Sequence, residues 1–388
     1  MTVLDLKNIA VTHDWLLEYA GAERVLEELL HVLGKKTKVY TTVFDGKDLP
    51  FLQDHEVVES FISKLPFGRS HSHYRKYLPI MPLAVEQWDM SEYDIVISSN
   101  YAVAKGIICH PDQLHISYVH SPIRYAWDMQ YQYLDEADLD KGIKGWIAKY
   151  LLHKIRLWDV RTANQVDNFI ANSHFIKRRI AKVYRREAKV IYPPVDINGF
   201  KLNKDKDDFY CTVSRLVPYK KTSMIIRAFN QMPNKKLYVI GGGPDLEEMK
   251  KMAGPNVEVL GFQPQDKMVE YMRNARAFIY AAKEDFGIVP LEAQACGTPV
   301  IAFGEGGLSE TVVPWLGNGQ ADVPTGILYN NQTAKDLVNA VTLFEGNQNV
   351  FDSEAIREHA EFFGPERFRY EIQGYIENSW ESFQSSIV

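Results

Sequence analysis

The feature that most narrows the fold is an alternation of short apolar strands and helical stretches that runs once, breaks at a proline pair, and then runs again. In the first half, strand-like runs lie at residues 8–12 (NIAVT), 38–43, 93–98, 115–119, 168–172 and 189–192. After the first of these, Val25, Leu26, Leu29, Leu30 and Leu33 fall on one face of a helix starting at Glu23. A longer helical stretch covers roughly 143–184. Pro193 and Pro194 cannot continue a central strand, and the polar run 203–208 (NKDKDD) has the composition of a linker. Strands then recur at 209–214, 236–240, 257–260, 277–280, 299–303 and 326–329, with helices after Lys221, Asp245, Asp266, Val289 and Thr333. The last stretch, 353–383, is helical in pattern.

Strand–helix alternation of this kind specifies an α/β fold with parallel sheets. The 388 residues are enough for two domains, and the expected units are 1–195 and 196–369. Open parallel sheets bind ligands beyond the carboxyl ends of their strands, so chemistry-bearing residues are expected just after strands. Two such units facing each other would form a cleft.

Composition removes several classes. A net charge of −6 argues against a dedicated nucleic-acid binder. Cys109, Cys211 and Cys296 are too few and too scattered for a disulfide framework or a CxxC metal site, and each is expected to be a small apolar residue in a reducing compartment. The first twenty residues carry Asp5, Asp14 and Glu18 and lack the basic start of a signal peptide, and no window is apolar enough to cross a membrane. The expected location is cytoplasmic. The charge is also uneven. Residues 141–189 hold thirteen Lys and Arg against three acids, a net of +10, with Trp146 and Trp158 interleaved. That segment is open to two readings, a solvated helix face or a surface for an anionic membrane on the inner face of the cell.

The most informative motif is the segment 283–303 (KEDFGIVPLEAQACGTPVIAF). Glu284 and Phe286-Gly287 fall in a loop after a strand, and Pro290 suits the first turn of the helix that follows. Glu292 lies eight residues after Glu284, inside that helix. The amides of Gly287 and Ile288 at the helix start can receive an anion. This segment resembles the signature of the retaining glycosyltransferases of family 4, which have the GT-B fold of two Rossmann-like domains facing across a cleft. Residues 214–221 (SRLVPYKK) resemble the family's R-x4-K element, which implies that Arg215 and Lys220 clamp a donor diphosphate. Tyr19-AGAE-Glu23 resembles its G-G-A-E-R loop with Ala20 in place of the first glycine, so Gly21 and Ala22 would approach the donor. His120, in 116–122 (ISYVHSP), resembles the family's active-site histidine, which contacts the donor sugar. Arg124, Tyr125 and Trp127 then offer an acceptor-side surface. The turn at 241–244 (GGGP) resembles the family's G-x-G-P turn, which implies that Gly243 lies near the donor; Phe262 falls where the base lies in the family, and 306–310 (GGLSE) resembles a donor-side loop.

On this resemblance His120, Glu284, Arg215 and Lys220 are the catalytic set, with Phe286, Gly287, Ile288 and Glu292 completing the donor site. The D-x-D spacings in 135–140 and 205–208 follow no apolar strand, so no metal and no cofactor are expected beyond a nucleoside-diphosphate sugar donor. The segments 78–106 and 120–128 look most like bacterial mannosyltransferases of surface-polysaccharide assembly. That implies GDP-mannose as donor and a glycan or lipid-linked glycan as acceptor. The alternatives are a UDP-sugar donor, or a sugar-nucleotide epimerase of the same fold. The C-terminal helix, about 370–388, is expected to return to the first domain through Tyr375, Ile376 and Trp380.

Overall fold

The structure, a computed structural model, describes residues 3–71, 73–136, 138–317 and 323–387. Residue 137, within the acidic run 135–140, and residue 388, the end of the expected C-terminal helix, lie outside the described residues. The chain divides into two compact units, Met1–Pro194 with Glu366–Val388, and Val195–Pro365.

The first unit contains β1 (Ile9–His13), α1 (Gly21–Leu33), β2 (Lys38–Thr41), β3 (Val57–Glu59), α2 (Met81–Val85), β4 (Ile95–Asn100), β5 (Leu114–Val119), α3 (Gln130–Glu136), α4 (Gly142–Ala163), β6 (Asn168–Ala171), α5 (His174–Tyr184) and β7 (Lys189–Val190). Its seven strands are all parallel in the order β3-β2-β1-β4-β5-β6-β7. The helical stretch expected at 143–184 is two helices, α4 and α5, with β6 between them.

The second unit contains β8 (Tyr210–Val213), α6 (Thr222–Phe229), β9 (Leu237–Ile240), α7 (Leu246–Met252), β10 (Val257–Gly261), α8 (Gln265–Asn274), β11 (Ala277–Tyr280), α9 (Ile288–Ala295), β12 (Val300–Phe303), α10 (Leu308–Thr311), β13 (Gly326–Tyr329), α11 (Ala334–Glu345) and α12 (Ser353–Glu361). Its six parallel strands run in the order β10-β9-β8-β11-β12-β13. Each sheet therefore has the Rossmann strand order. Each has its switch point, where the winding reverses, between its first and fourth strands: β1/β4 in one unit and β8/β11 in the other.

α13 (Pro365–Ile387) starts five residues earlier than the sequence pattern places it and belongs to the first unit. Phe368, Ile372, Ile376 and Trp380 recur every four residues, so they form one stripe, and all are buried in the core beneath β1, β4 and β5. Tyr375 and Phe383 pack at its margin. Arg367 donates to the carbonyls of Tyr192 (2.8 Å) and Pro193 (3.2 Å), fixing the chain at the proline pair.

The run 203–208 is not a free linker. The ammonium of Lys206 donates to the carbonyls of Arg273 (2.9 Å) and Cys296 (3.1 Å) and to Thr298 Oγ1 (2.8 Å). Burial lowers this lysine to about 8. The charges in the run are thus partly structural, and Asp208 pairs with Arg276 at 2.9 Å.

Candidate functional site

In the second unit the motif residues gather on loops at the carboxyl ends of β8 and β11, which are neighbours in the sheet. Arg215 follows β8. It is exposed, and its guanidinium makes no ion pair or hydrogen bond among the described residues. The loop carrying it is held from below by glycines. At Gly241 (φ 138°) a Cβ would stand 1.8 Å from the Ser214 carbonyl oxygen, and at Gly243 (φ 155°) 2.2 Å from that of Leu216. Any side chain there would push the Arg215 loop out of place, so Gly243 acts through close approach. Phe262, just after β10, is 79% exposed.

Lys220 ends the short turn Pro218–Lys220. Its ammonium bonds Glu284 Oε1 and donates to Tyr280 Oη at 3.0 Å, while the Tyr280 hydroxyl donates to the same carboxylate oxygen at 2.9 Å. Lysine has three N–H donors, and this triangle uses two. Burial alone would lower the Lys220 ammonium, but the Glu284 carboxylate and the phenols of Tyr280 and Tyr219 hold it above its ordinary value, so it stays charged. Burial and the same carboxylate push the Tyr280 phenol up, so it stays a donor. Tyr280 carries no sequence motif. Its position as the last residue of β11 is the signal that could have found it.

The loop of Glu284 rests on Gly306 and Gly307, which precede α10. A Cβ at Gly306 would meet the Glu284 carbonyl oxygen at 2.2 Å, and Gly307 N donates to that carbonyl at 2.8 Å. Gly287 takes φ 100° and opens α9, where the amides of Gly287 and Ile288 face no protein acceptor among the described residues. Phe286 is 4% exposed and its ring packs edge-on against Phe363, so only its backbone can face a ligand. Glu292 is 2% exposed within α9.

In the first unit the corresponding switch point is built from a chain of hydrogen bonds around a histidine. His13 ends β1 and Ser99 lies opposite it in β4. His13 Nδ1 is 3.0 Å from Ser99 Oγ, and Ser99 Oγ is 2.8 Å from Nε2 of His120, the residue after β5. Glu23, in the first turn of α1, stands 3.2 Å from His13 Nε2 and accepts from the Ala20 amide at 3.0 Å. Gly21 and Ala22 form the start of α1, and Ala20 has an extended backbone (φ −133°), so the position that resembles a family glycine does not require one. Burial lowers His120 to about 3, so its imidazole is neutral at neutral pH. The loop after β4 is pinned by Asp14, whose buried carboxylate accepts from the amides of Tyr101 (2.6 Å), Ala102 (2.9 Å), Val103 and Ala104 (2.8 Å).

Tyr125 and Trp127 are half-buried beside Ile123, Ala126 and Ile155, and Trp127 Nε1 donates to Asp159 at 2.8 Å. Arg124 is half-buried in the same segment. Among the described residues no group of three or more His, Cys, Asp and Glu is placed to hold a metal ion. Among the described residues no helix is long and apolar enough to cross a membrane.

Two parallel sheets of Rossmann strand order, each with polar groups at its switch point, set the fold class, and comparison with known proteins gives the family. Residues 19–198 match the model of Glycosyltransferase Family 4, and residues 196–361 match that of Glycosyl transferases group 1. Between them the two models span most of the sequence, and the chain belongs to the family 4 glycosyltransferases of the GT-B fold. A D-inositol 3-phosphate glycosyltransferase of Mycobacteroides abscessus is 25% identical over 229 residues, 52% of this chain and 50% of that one. A GDP-mannose-dependent monoacylated alpha-(1-6)-phosphatidylinositol monomannoside mannosyltransferase of Corynebacterium glutamicum is 37% identical over 119 residues, 27% of this chain and 31% of that one. The chain spans about half the length, or less, of the first of the curated relatives it matches. Anabaena HepE, crystallised with UDP and glucose, shares the fold with a TM-score of 0.67 at 19% identity, covering 96% of this chain and all of that one.

Proposed function

We propose that this chain transfers a sugar, with retention of anomeric configuration, from a nucleoside diphosphate to a hydroxyl of a lipid-linked glycan. GDP-mannose is the proposed donor. The observation that carries the reading is the unpaired, exposed Arg215 at the same sheet end as the unopposed amides of Gly287 and Ile288 and the spare donor of Lys220. Negative charge grows on a departing diphosphate, and preorganised donors of this kind stabilise it. In this reading Glu284 takes hydroxyls of the sugar and Glu292 those of the ribose. Burial makes Glu292 the least accessible of the assigned charged groups. His120, being neutral, accepts a sugar hydroxyl proton rather than acting as a strong base. The acceptor attacks from the face the diphosphate leaves, and a leaving phosphate oxygen takes its proton.

The mannosyltransferase relative supports GDP-mannose, and HepE, bound to UDP, supports a UDP-sugar as the alternative. Thermal melts with GDP- and UDP-sugars, followed by NMR of the product's anomeric centre, test the proposal. A bound donor raises stability by mass action. GDP-mannose should raise the melting temperature most and yield an α-linked product. Stabilisation by UDP-sugars alone overturns the donor, and interconversion of the free sugar nucleotide without an acceptor indicates an epimerase.

The same reading includes a peripheral membrane surface on α4. This helix has a buried side and an exposed apolar side. Gly145, Ile155, Asp159, Thr162 and Ala163 face the core, while Ile143 (81% exposed), Trp146 (70%), Ile147, Tyr150 and Leu157 face solvent. Lys144, Lys149 and Lys154 have no carboxylate partner among the described residues, and Asp159, the helix's one acid, is buried. An apolar stripe flanked by unpaired lysines complements anionic lipid. Ile143→Glu should abolish sedimentation with phosphatidylglycerol vesicles. Equal sedimentation of the unsubstituted protein with phosphatidylcholine, or its self-association through this stripe, overturns the lipid assignment.

A further inference from the structure

The buried chain Glu23–His13–Ser99–His120 is not needed to hold the sheet together, since the β1/β4 backbone ladder already does that. What it does fix, with a single proton on His13, is the direction of every hydrogen bond leading to His120. A carboxylate only accepts, so Glu23 requires a proton on His13 Nε2. Where His13 carries that single proton its Nδ1 is bare and takes the Ser99 hydroxyl proton, whereas a doubly protonated His13 would reverse the Ser99 bond and put the His120 proton on Nδ1. With the single proton, Ser99 Oγ is left as an acceptor and requires the proton of His120 on Nε2. His120 Nδ1, which has no partner among the described residues, is thereby left as a bare acceptor. The other end of the chain is equally constrained, because Glu23 also accepts from the Ala20 amide at the start of α1. Tyr101 closes the relay, its ring 5.7 Å from that of His13 and 6.0 Å from that of His120, and Tyr118 lies 5.1 Å from His120. His13 and Ser99 have no solvent exposure, and Glu23 is 5% exposed.

We infer that Glu23, His13 and Ser99 are positioning residues that hold His120 in the Nε2-protonated tautomer, so that Nδ1 presents an acceptor to a sugar hydroxyl. Only this last clause rests on the sugar-transfer reading; the tautomer itself does not.

The test is nitrogen-15 NMR of the full chain labelled at its histidine imidazoles, with His120→Gln used to assign the His120 signals. The expected spectrum shows Nε2 protonated and Nδ1 bare. Ser99→Ala removes the acceptor, and both tautomers should then be populated. Glu23→Gln has one carbonyl for two donors, and turning its amide toward His13 should invert the relay. Ser99→Thr keeps a hydroxyl and should restore the original tautomer. Turnover in Ser99→Ala should fall about tenfold, the worth of one misdirected hydrogen bond, with Ser99→Thr recovering most of it. A wild-type His120 protonated on Nδ1, or a tautomer unchanged in Ser99→Ala, overturns the inference. A chain with the expected tautomer but no transferase activity overturns the sugar-transfer reading and leaves the relay standing.

Discussion

The molecule contains the same chemical trio twice, and the two copies do different jobs. In the first unit Lys105, Asp159 and Tyr184 meet with no solvent exposure of either charged side chain. The Lys105 ammonium donates to Asp159 Oδ1 (2.6 Å), the Asp159 carbonyl (3.0 Å) and Thr162 Oγ1 (2.9 Å), so all three of its donors are consumed. Asp159 is further closed off by Tyr184 Oη at 3.1 and 3.2 Å and by Trp127 Nε1. In the second unit Lys220, Glu284 and Tyr280 form the same kind of cluster, but the lysine and glutamate are 15% and 14% exposed and one lysine donor is left over. The difference teaches that a lysine–carboxylate–tyrosine cluster is not in itself a site. A saturated, dry cluster ties α4 to the segment before β5, while an unsaturated one at a strand end can take a ligand.

Substitutions that separate these roles can break the comparison. Lys105→Met should cost about 3–5 kcal/mol of stability in a urea titration, because it strands the buried Asp159 carboxylate. It should leave the donor affinity of the folded fraction unchanged. Lys220→Ala should lower turnover about 10²- to 10³-fold, the scale for losing one preorganised donor to a developing anion. Its stability loss should be smaller than that of Lys105→Met. Equal stability losses with normal turnover in Lys220→Ala would make the second cluster structural too. Arg215→Ala should raise the donor KM about tenfold while leaving stability within about 0.5 kcal/mol, since the side chain is exposed and unpaired.

A pH dependence is also expected from the first unit. His120 and His115 are lowered by burial to about 3 and about 4, from an ordinary value of 6.5. Between those values and 6.5 the unfolded chain binds more protons than the folded one, so stability rises with pH across that window. Their contribution should be complete above about pH 6.5 and decline as pH falls toward 4. A melting temperature that is flat from pH 4.5 to 7 in wild type and in His115→Gln contradicts it.

The doubled sheet was legible in the sequence because apolar strands buried on both faces leave continuous hydrophobic runs. The loops of Arg215, Lys220, Glu284 and Gly287 were legible because their motifs are local. Tyr280, His13 and Ser99 were not. Each acts through a partner brought close by folding, and the strand pairing that sets His13 opposite Ser99 spans 86 residues. Lys206 was misread for a related reason. A charged residue in a polar run looks solvated until three acceptors from distant segments close around it. In the basic segment 141–189 one of the three acids, Asp159, is buried and paired, so it does not offset the segment's surface charge.

The central claim is that the exposed Arg215, the part-buried Lys220 and the unopposed amides of Gly287 and Ile288 recognise a diphosphate. The most direct test is calorimetric titration of the full chain with GDP, GMP, UDP and UMP. The diphosphate of the preferred base should bind at least about tenfold tighter than its monophosphate, corresponding to one or more charge-assisted hydrogen bonds. Arg215→Ala should erase most of that difference, and His120→Ala should preserve it. Equal affinities for diphosphate and monophosphate, or a difference that survives Arg215→Ala and disappears in His120→Ala, would contradict the account.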